Sequence, residues 1–196
     1  MKEKKIFNIP NLLTLYRIAV FPLILGFILC GKENLFAIFV IINLLTDIAD
    51  GFIARKFHLE TEFGAKIDSF ADDLTYLLAI IGIFVFKWED FMPYMTSFSI
   101  FVGFLILPII VYLIRLGKIP SFHLYMTKIG GYIQGFFFFC LFTIGFVPSL
   151  YYFMIIWGII GSLEHLAIQF YLKKEIKSNV KGLYWVIKEK KIEKQI

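Results

Sequence analysis

The sequence predicts an all-α integral membrane protein, a six-helix transmembrane bundle with both termini in the cytoplasm. Three observations carry that expectation. Of its 196 residues, 59% are hydrophobic and 18% charged, with a mean hydropathy of +0.78; an ordinary soluble domain has about 45–50% and about 25%. Several apolar runs approach the roughly 20 residues that cross a bilayer, and none alternates like a membrane-barrel strand. The basic residues, finally, gather on one side of those runs.

In chain order the expected segments are 11–30, 34–54, 67–86, 91–114, 130–147 and 149–172. Gly31-Lys32-Glu33-Asn34, Lys87-Trp88-Glu89-Asp90 and Val147-Pro148-Ser149 make short breaks on one side. Longer polar connections at 55–66 and 115–129 fall on the other. Lys2, Lys4 and Lys5 precede the first segment, Arg55, Lys56 and Lys66 flank the second loop, and Arg115, Lys118 and Lys128 flank the fourth. Eight lysines follow residue 172, and only Lys32 and Lys87, of 20 Lys and Arg, fall on the opposite side. The positive-inside rule then orients the chain. Residues 1–172 form one catalytic domain in this reading, and 173–196 a basic cytoplasmic or interfacial tail.

Composition also excludes. The net charge of +5 reflects membrane orientation, and no nucleic-acid partner is expected. Cys30 and Cys140 lie inside apolar runs and suggest neither a disulfide framework nor a zinc site. The basic, apolar N-terminus imitates a secretory signal, but Arg17 interrupts the run and no small-x-small cleavage site follows; the first segment is expected to be retained.

Against this apolar background stand four carboxylates. Asp47 and Asp50 are i,i+3 neighbours near the inner end of the second segment, and Asp68 and Asp72 are i,i+4 neighbours entering the third. Each pair shares one helical face. At 1.5 Å rise per residue, Asp47 is expected about 10 Å from the end of its helix. Acids at membrane depth are costly and usually functional, and four of them together need cations. Oxygen-only ligands favour Mg²⁺, Mn²⁺ or Ca²⁺. Gly51 and Ala54 continue the Asp47/Asp50 face with almost no side chain, and Gly64 lies one turn before Asp68. They read either as clearance for a polar ligand or as close helix packing. Arg55, beside a dication site, reads as a phosphate ligand.

These residues match D-x2-D-G-x2-A-R-x8-G-x3-D-x3-D at every specified position, the pattern of the CDP-alcohol phosphotransferase family, class I, which the chain resembles. The run Asn8-Ile9-Pro10-Asn11-Leu12-Leu13-Thr14-Leu15-Tyr16-Arg17 is similar to the phosphatidylglycerophosphate synthase branch. The resemblance implies transfer of a phosphatidyl group from CDP-diacylglycerol to a polar alcohol, with release of CMP, at a cytoplasm-facing site (of the inner membrane in a bacterium). It implies divalent cations, Mg²⁺ or Mn²⁺ and two in number, held by Asp47, Asp50, Asp68 and Asp72. Asp72 would also be the catalytic base, and Gly51, Ala54, Arg55 and Gly64 would line the CDP portion. A homodimer is implied as well. The N-terminal run favours glycerol 3-phosphate as acceptor. Asp73, where that branch is expected to carry lysine, and Ile67-Asp68-Ser69-Phe70-Ala71-Asp72, which is similar to phosphatidylserine-type relatives, keep serine and inositol phosphate open.

Arg17 repeats at helical spacing with Asn11 and Thr14 and lies too deep for an easy interfacial anchor. It is expected to face the acidic centre or a substrate phosphate. Arg115, Lys118 and Lys128 are expected either to bind an acceptor phosphate or to orient their loop. Glu164 and His165 read as partners in a helix–helix hydrogen bond. The alternative from another class is a cation or proton transporter using the same acids, although no acid continues through the outer halves of those helices.

Overall fold

The computed structural model describes residues 8–117, 124–172 and 182–193, and among these it is helical with no strand. Among the described residues five helices are long and apolar enough to cross a membrane: Ile9–Leu29, Glu33–Lys56, Glu62–Phe86, Trp88–Arg115 and Pro148–Leu172. Large apolar side chains such as Leu29, Ile38, Leu45, Ile114, Ile156 and Phe170 are exposed along them. A surface of that kind suits lipid rather than water. The chain is an integral membrane protein.

The described residues form two compact units, one ending at Met92 and the other starting at Pro93. In the first, α1 (Ile9–Leu29) packs against both α2 (Glu33–Lys56) and α3 (Glu62–Phe86). Asn8 caps α1, its side chain accepting from the Asn11 N–H at 2.9 Å, and Pro10 falls in the first turn, where no N–H is needed. Helix α2 begins with Glu33 and ends with Arg55 and Lys56, charges that complement its dipole. It closes on a left-handed His58 at φ 54°, with the Leu59 N–H returning to the Ala54 carbonyl at 2.9 Å. This is a Schellman-type stop without the usual glycine.

Thr61 then caps α3, accepting from the Gly64 N–H at 2.9 Å. That cap starts the helix at Glu62 rather than near residue 67, and it shortens the connection expected over 55–66 to five residues. Asn8 Nδ2 donates to the Leu59 carbonyl at 3.0 Å, pinning the start of α1 to this turn. At the other end of the unit, Lys87 pairs with Glu33 at 2.8 Å. Phe36, fully buried, fills the notch at Gly82, where any Cβ would overlap its ring.

A short α4 (Trp88–Phe91) and a 3₁₀ turn (Met92–Tyr94) break the fourth expected segment before α5 (Met95–Leu116). In the second unit α7 (Pro148–Leu172) is central, meeting α5, α6 (Tyr125–Thr143) and α8 (Leu183–Glu193). The fifth expected segment, 130–147, corresponds to α6, which starts and ends a few residues earlier. Its first half carries Lys128, Gln134 and glycines 130, 131 and 135, which dilute the Phe136–Phe139 run, and it is not among the five strongly apolar helices. Gln169 donates to the Pro108 carbonyl at 2.8 Å, and Trp157 to the Met126 carbonyl at 3.1 Å. Part of the basic tail is thus the ordered helix α8. Glu164 Oε1 accepts from the Leu183 N–H at its start at 3.0 Å. Val186 packs with Leu124 and Ile168. This is the neighbouring-helix role expected for Glu164.

Candidate active site

The two helical spacings do what they promise. Asp47 and Asp50 leave one face of α2, Asp68 and Asp72 leave one face of α3, and α1 inserts Arg17 between them. One terminal nitrogen of Arg17 lies 2.9 Å from Asp47 Oδ1 and 2.6 Å from Asp72 Oδ1. The other lies 2.8 Å from Asp50 Oδ2 and 2.5 Å from Asp68 Oδ1. The Arg17 side chain is wholly buried, and Asp50 is 4% exposed. Thr14 Oγ1, one turn earlier on α1, stands 3.1 Å from Asp50 Oδ2. Asp47, Asp68 and Asp72 are 37, 39 and 37% exposed. Arg17 therefore faces the acidic centre, one of its two expected roles. Asp73 is exposed and makes none of these ion pairs.

Electrostatics leaves the cluster short of positive charge. With all four acids ionised, the one guanidinium that forms ion pairs with them among the described residues carries one positive charge against four negative ones, and Arg55 stands in the adjoining cleft. Like charges about 4 Å apart repel by roughly 4 kcal/mol at an effective dielectric of ~20, less for the three carboxylates that meet solvent. Asp47, Asp50 and Asp68 each offer an oxygen within 4.8 Å of the others. A compact all-oxygen donor set of this kind fits a hard divalent cation. Asp72 stands outside that set of three.

Beside the cluster lies an open cleft of about 560 Å³, open solvent included, lined by Asn11, Thr14, Asp50, Gly51, Ala54, Arg55, Thr61, Gly64 and Asp68 among others. The two glycines contribute differently. A Cβ on Gly51 would meet the Arg55 guanidinium first, 3.2 Å from its nearest nitrogen, so Gly51 keeps the cleft clear beneath a movable cation. A Cβ on Gly64 would overlap Asn11 Oδ1 and crowd Thr61 Oγ1 at 2.8 Å. Gly64 is required for α1 to approach α3 as well as lining the cleft.

Of the other sequence-predicted cations, Arg115 belongs to the second unit, where it donates to the Gln169 carbonyl at 3.0 Å and lies 5.0 Å over the Phe170 ring. Lys128 is exposed on the first turn of α6, and Lys118 lies outside the described residues. Three site neighbours were not singled out from the sequence. Asn8 and Thr61 are helix caps, legible in the sequence only as capping signals; Thr61 also lines the cleft, and Asn8 ties α1 to Leu59, another of its lining residues. Asn43, one turn outward from Asp47, is 1% exposed, and neither of its amide atoms has a hydrogen-bond partner among the described residues.

Residues 7–164 match the family model of CDP-alcohol phosphatidyltransferase. The chain belongs to this family. Among similar curated proteins are three named CDP-diacylglycerol–glycerol-3-phosphate 3-phosphatidyltransferase. That of Pectobacterium atrosepticum is 36% identical over 98 residues, 47% of this chain and 54% of the relative. That of Aquifex aeolicus is 36% identical over 88 residues, 44% and 48%. That of Wigglesworthia glossinidia brevipalpis is 36% identical over 126 residues, 63% and 62%. The chain spans about half the length of the first two of these relatives. No solved structure gives a significant match.

Proposed function

We propose that this family member is a membrane phosphatidyltransferase that moves the phosphatidyl group of CDP-diacylglycerol to glycerol 3-phosphate and releases CMP. The observation that carries the reading is the meeting of three aspartate oxygens within 4.8 Å beside a cleft that Arg55 and two glycines keep open to a polar anion. The relatives' shared name supports the acceptor. Family membership favours transfer over the transporter alternative.

In this reading Asp47, Asp50 and Asp68 hold divalent cations, Mg²⁺ or Mn²⁺ and two in number, with Asp72 able to join them. Such cations supply Lewis-acid stabilisation of charge on phosphoryl oxygens. Gly51, Ala54 and Gly64 leave room for the CDP moiety, and Arg55 binds its diphosphate. Asp72, outside the three-oxygen set and partly open to solvent, takes the proton of the acceptor hydroxyl. That oxygen forms a bond to the lipid-side phosphorus, the phosphoanhydride bond breaks, and its electrons leave with CMP. Six crossings with both termini cytoplasmic would put the site on the side where both water-soluble reactants arise, while the acyl chains stay in lipid. A homodimer completes the proposal.

The acceptor is tested by giving purified protein CDP-diacylglycerol with glycerol 3-phosphate, serine or inositol phosphate separately and identifying the lipid by mass spectrometry. Phosphatidylglycerophosphate is expected from the first alone. A product from serine or inositol phosphate instead would transfer the chemistry to that acceptor and refute this one.

A further inference from the structure

Arg17 spends its two terminal nitrogens on four carboxylates from two helices, one pair each. That is an unusual use of a guanidinium, whose planar fork ordinarily grips one carboxylate with two parallel bonds. Here the fork is split, and Nε has no hydrogen-bond partner among the described residues. The side chain is wholly buried, whereas three of its four partners are more than a third open toward solvent. Arg17 thus enters from the protein side of the cluster, and ions enter from the other.

We propose that Arg17 is a built-in counter-cation that occupies the carboxylate cluster until divalent cations take its place, so that metal loading is an exchange rather than an addition. The inference rests on the metal-binding reading above. Three considerations support it. One oxygen of each prospective ligand is already engaged by Arg17, so the guanidinium and the metals draw on the same carboxylates. Two dications would neutralise four carboxylates completely, leaving a guanidinium held among them with no net attraction and facing like charge. The cleft adjoining Asp50 and Asp68 also offers a released guanidinium somewhere to turn, toward the anionic substrate that arrives there.

The device has a chemical use. Without metal, four acids converging from α2 and α3 would push those helices apart, and Arg17 cross-links α1 to both. It keeps the ligands gathered at the cost of weaker metal affinity. The competing picture is that Arg17 stays in place and orients the carboxylates for the metal. The two pictures predict opposite signs for one measurement.

That measurement is Mn²⁺ binding to chelator-stripped, full-length protein in detergent, read from the electron paramagnetic resonance signal of free Mn²⁺, which requires no turnover. Arg17→Gln is expected to bind Mn²⁺ about tenfold tighter or more than wild type. In the metal-free state it should melt at a lower temperature. Arg17→Lys, which keeps one cation that reaches fewer carboxylates, should fall between. If Arg17→Gln does not fold, the lysine variant decides alone by the same sign. Affinity in the folded variants that is equal to or weaker than wild type overturns the exchange while leaving the metal site standing. Absence of Mn²⁺ binding in wild type and both variants, up to millimolar concentrations, refutes the metal site itself.

Discussion

Asp68→Asn is expected to lower CMP release by about 1,000-fold or more, on the scale of losing one preorganised electrostatic group from a transition-state site. The amide keeps the volume of the carboxylate but leaves a neutral, weaker donor at one of the three side chains whose oxygens lie within 4.8 Å of each other. It also removes one of the four charges gathered around Arg17, and the other three remain to hold it. The chelated variant should therefore melt at or above the wild-type temperature. A kinetic assay beside a thermal scan of the same sample separates loss of chemistry from loss of fold. Full activity in a folded Asp68→Asn protein would exclude Asp68 as a ligand.

Gly64→Ala should show the opposite pattern, in which fold and activity fall together. The new methyl would meet Asn11 Oδ1 and Thr61 Oγ1, and neither is a free end that can swing away. Thr61 caps α3 through the Gly64 N–H, and Asn11 is 5% exposed where α1 meets the α2–α3 turn. Overpacking of this kind costs about 1–3 kcal/mol. The melting temperature should drop by about 4–8 °C per kcal/mol for a unit of this size. Because the same displacement moves α1, and with it Thr14 and Arg17, activity should fall about 100-fold. Gly51→Ala is the control: the nearest atoms to its methyl belong to the tip of Arg55, so the melting temperature should hold while the KM for CDP-diacylglycerol rises. Equal stability of the Gly64→Ala and wild-type proteins would contradict the packing assignment.

Much of the site was legible because its information is local. The i,i+3 and i,i+4 spacings of the four acids specify a shared face whatever the rest of the chain does, and a buried Arg17 on an apolar helix needs an acidic partner. What was not legible depends on contacts between distant residues. Nothing near Asn8 announces that its amide will meet the Leu59 carbonyl, 51 positions away. Gly64 was ambiguous between clearance and packing until Asn11 was seen against it. Helix α3 starts at Glu62, before the apolar segment expected from 67, because Thr61 caps it. Arg115 illustrates the reverse case, in which a cation eligible for a phosphate is engaged by a main-chain carbonyl of α7. The polar first half of α6 similarly shows that apolar content alone undercounts helices in a bundle.

The central claim is that the aspartate cluster is a divalent-cation site for phosphatidyl transfer. Its most direct test is CMP release from CDP-diacylglycerol by purified protein, with glycerol 3-phosphate present, across a titration of Mg²⁺ or Mn²⁺ into fully chelated enzyme. The account predicts no CMP in chelator, and on adding either ion CMP and phosphatidylglycerophosphate in equal amounts. CMP formed at the same rate with and without divalent cation would contradict it.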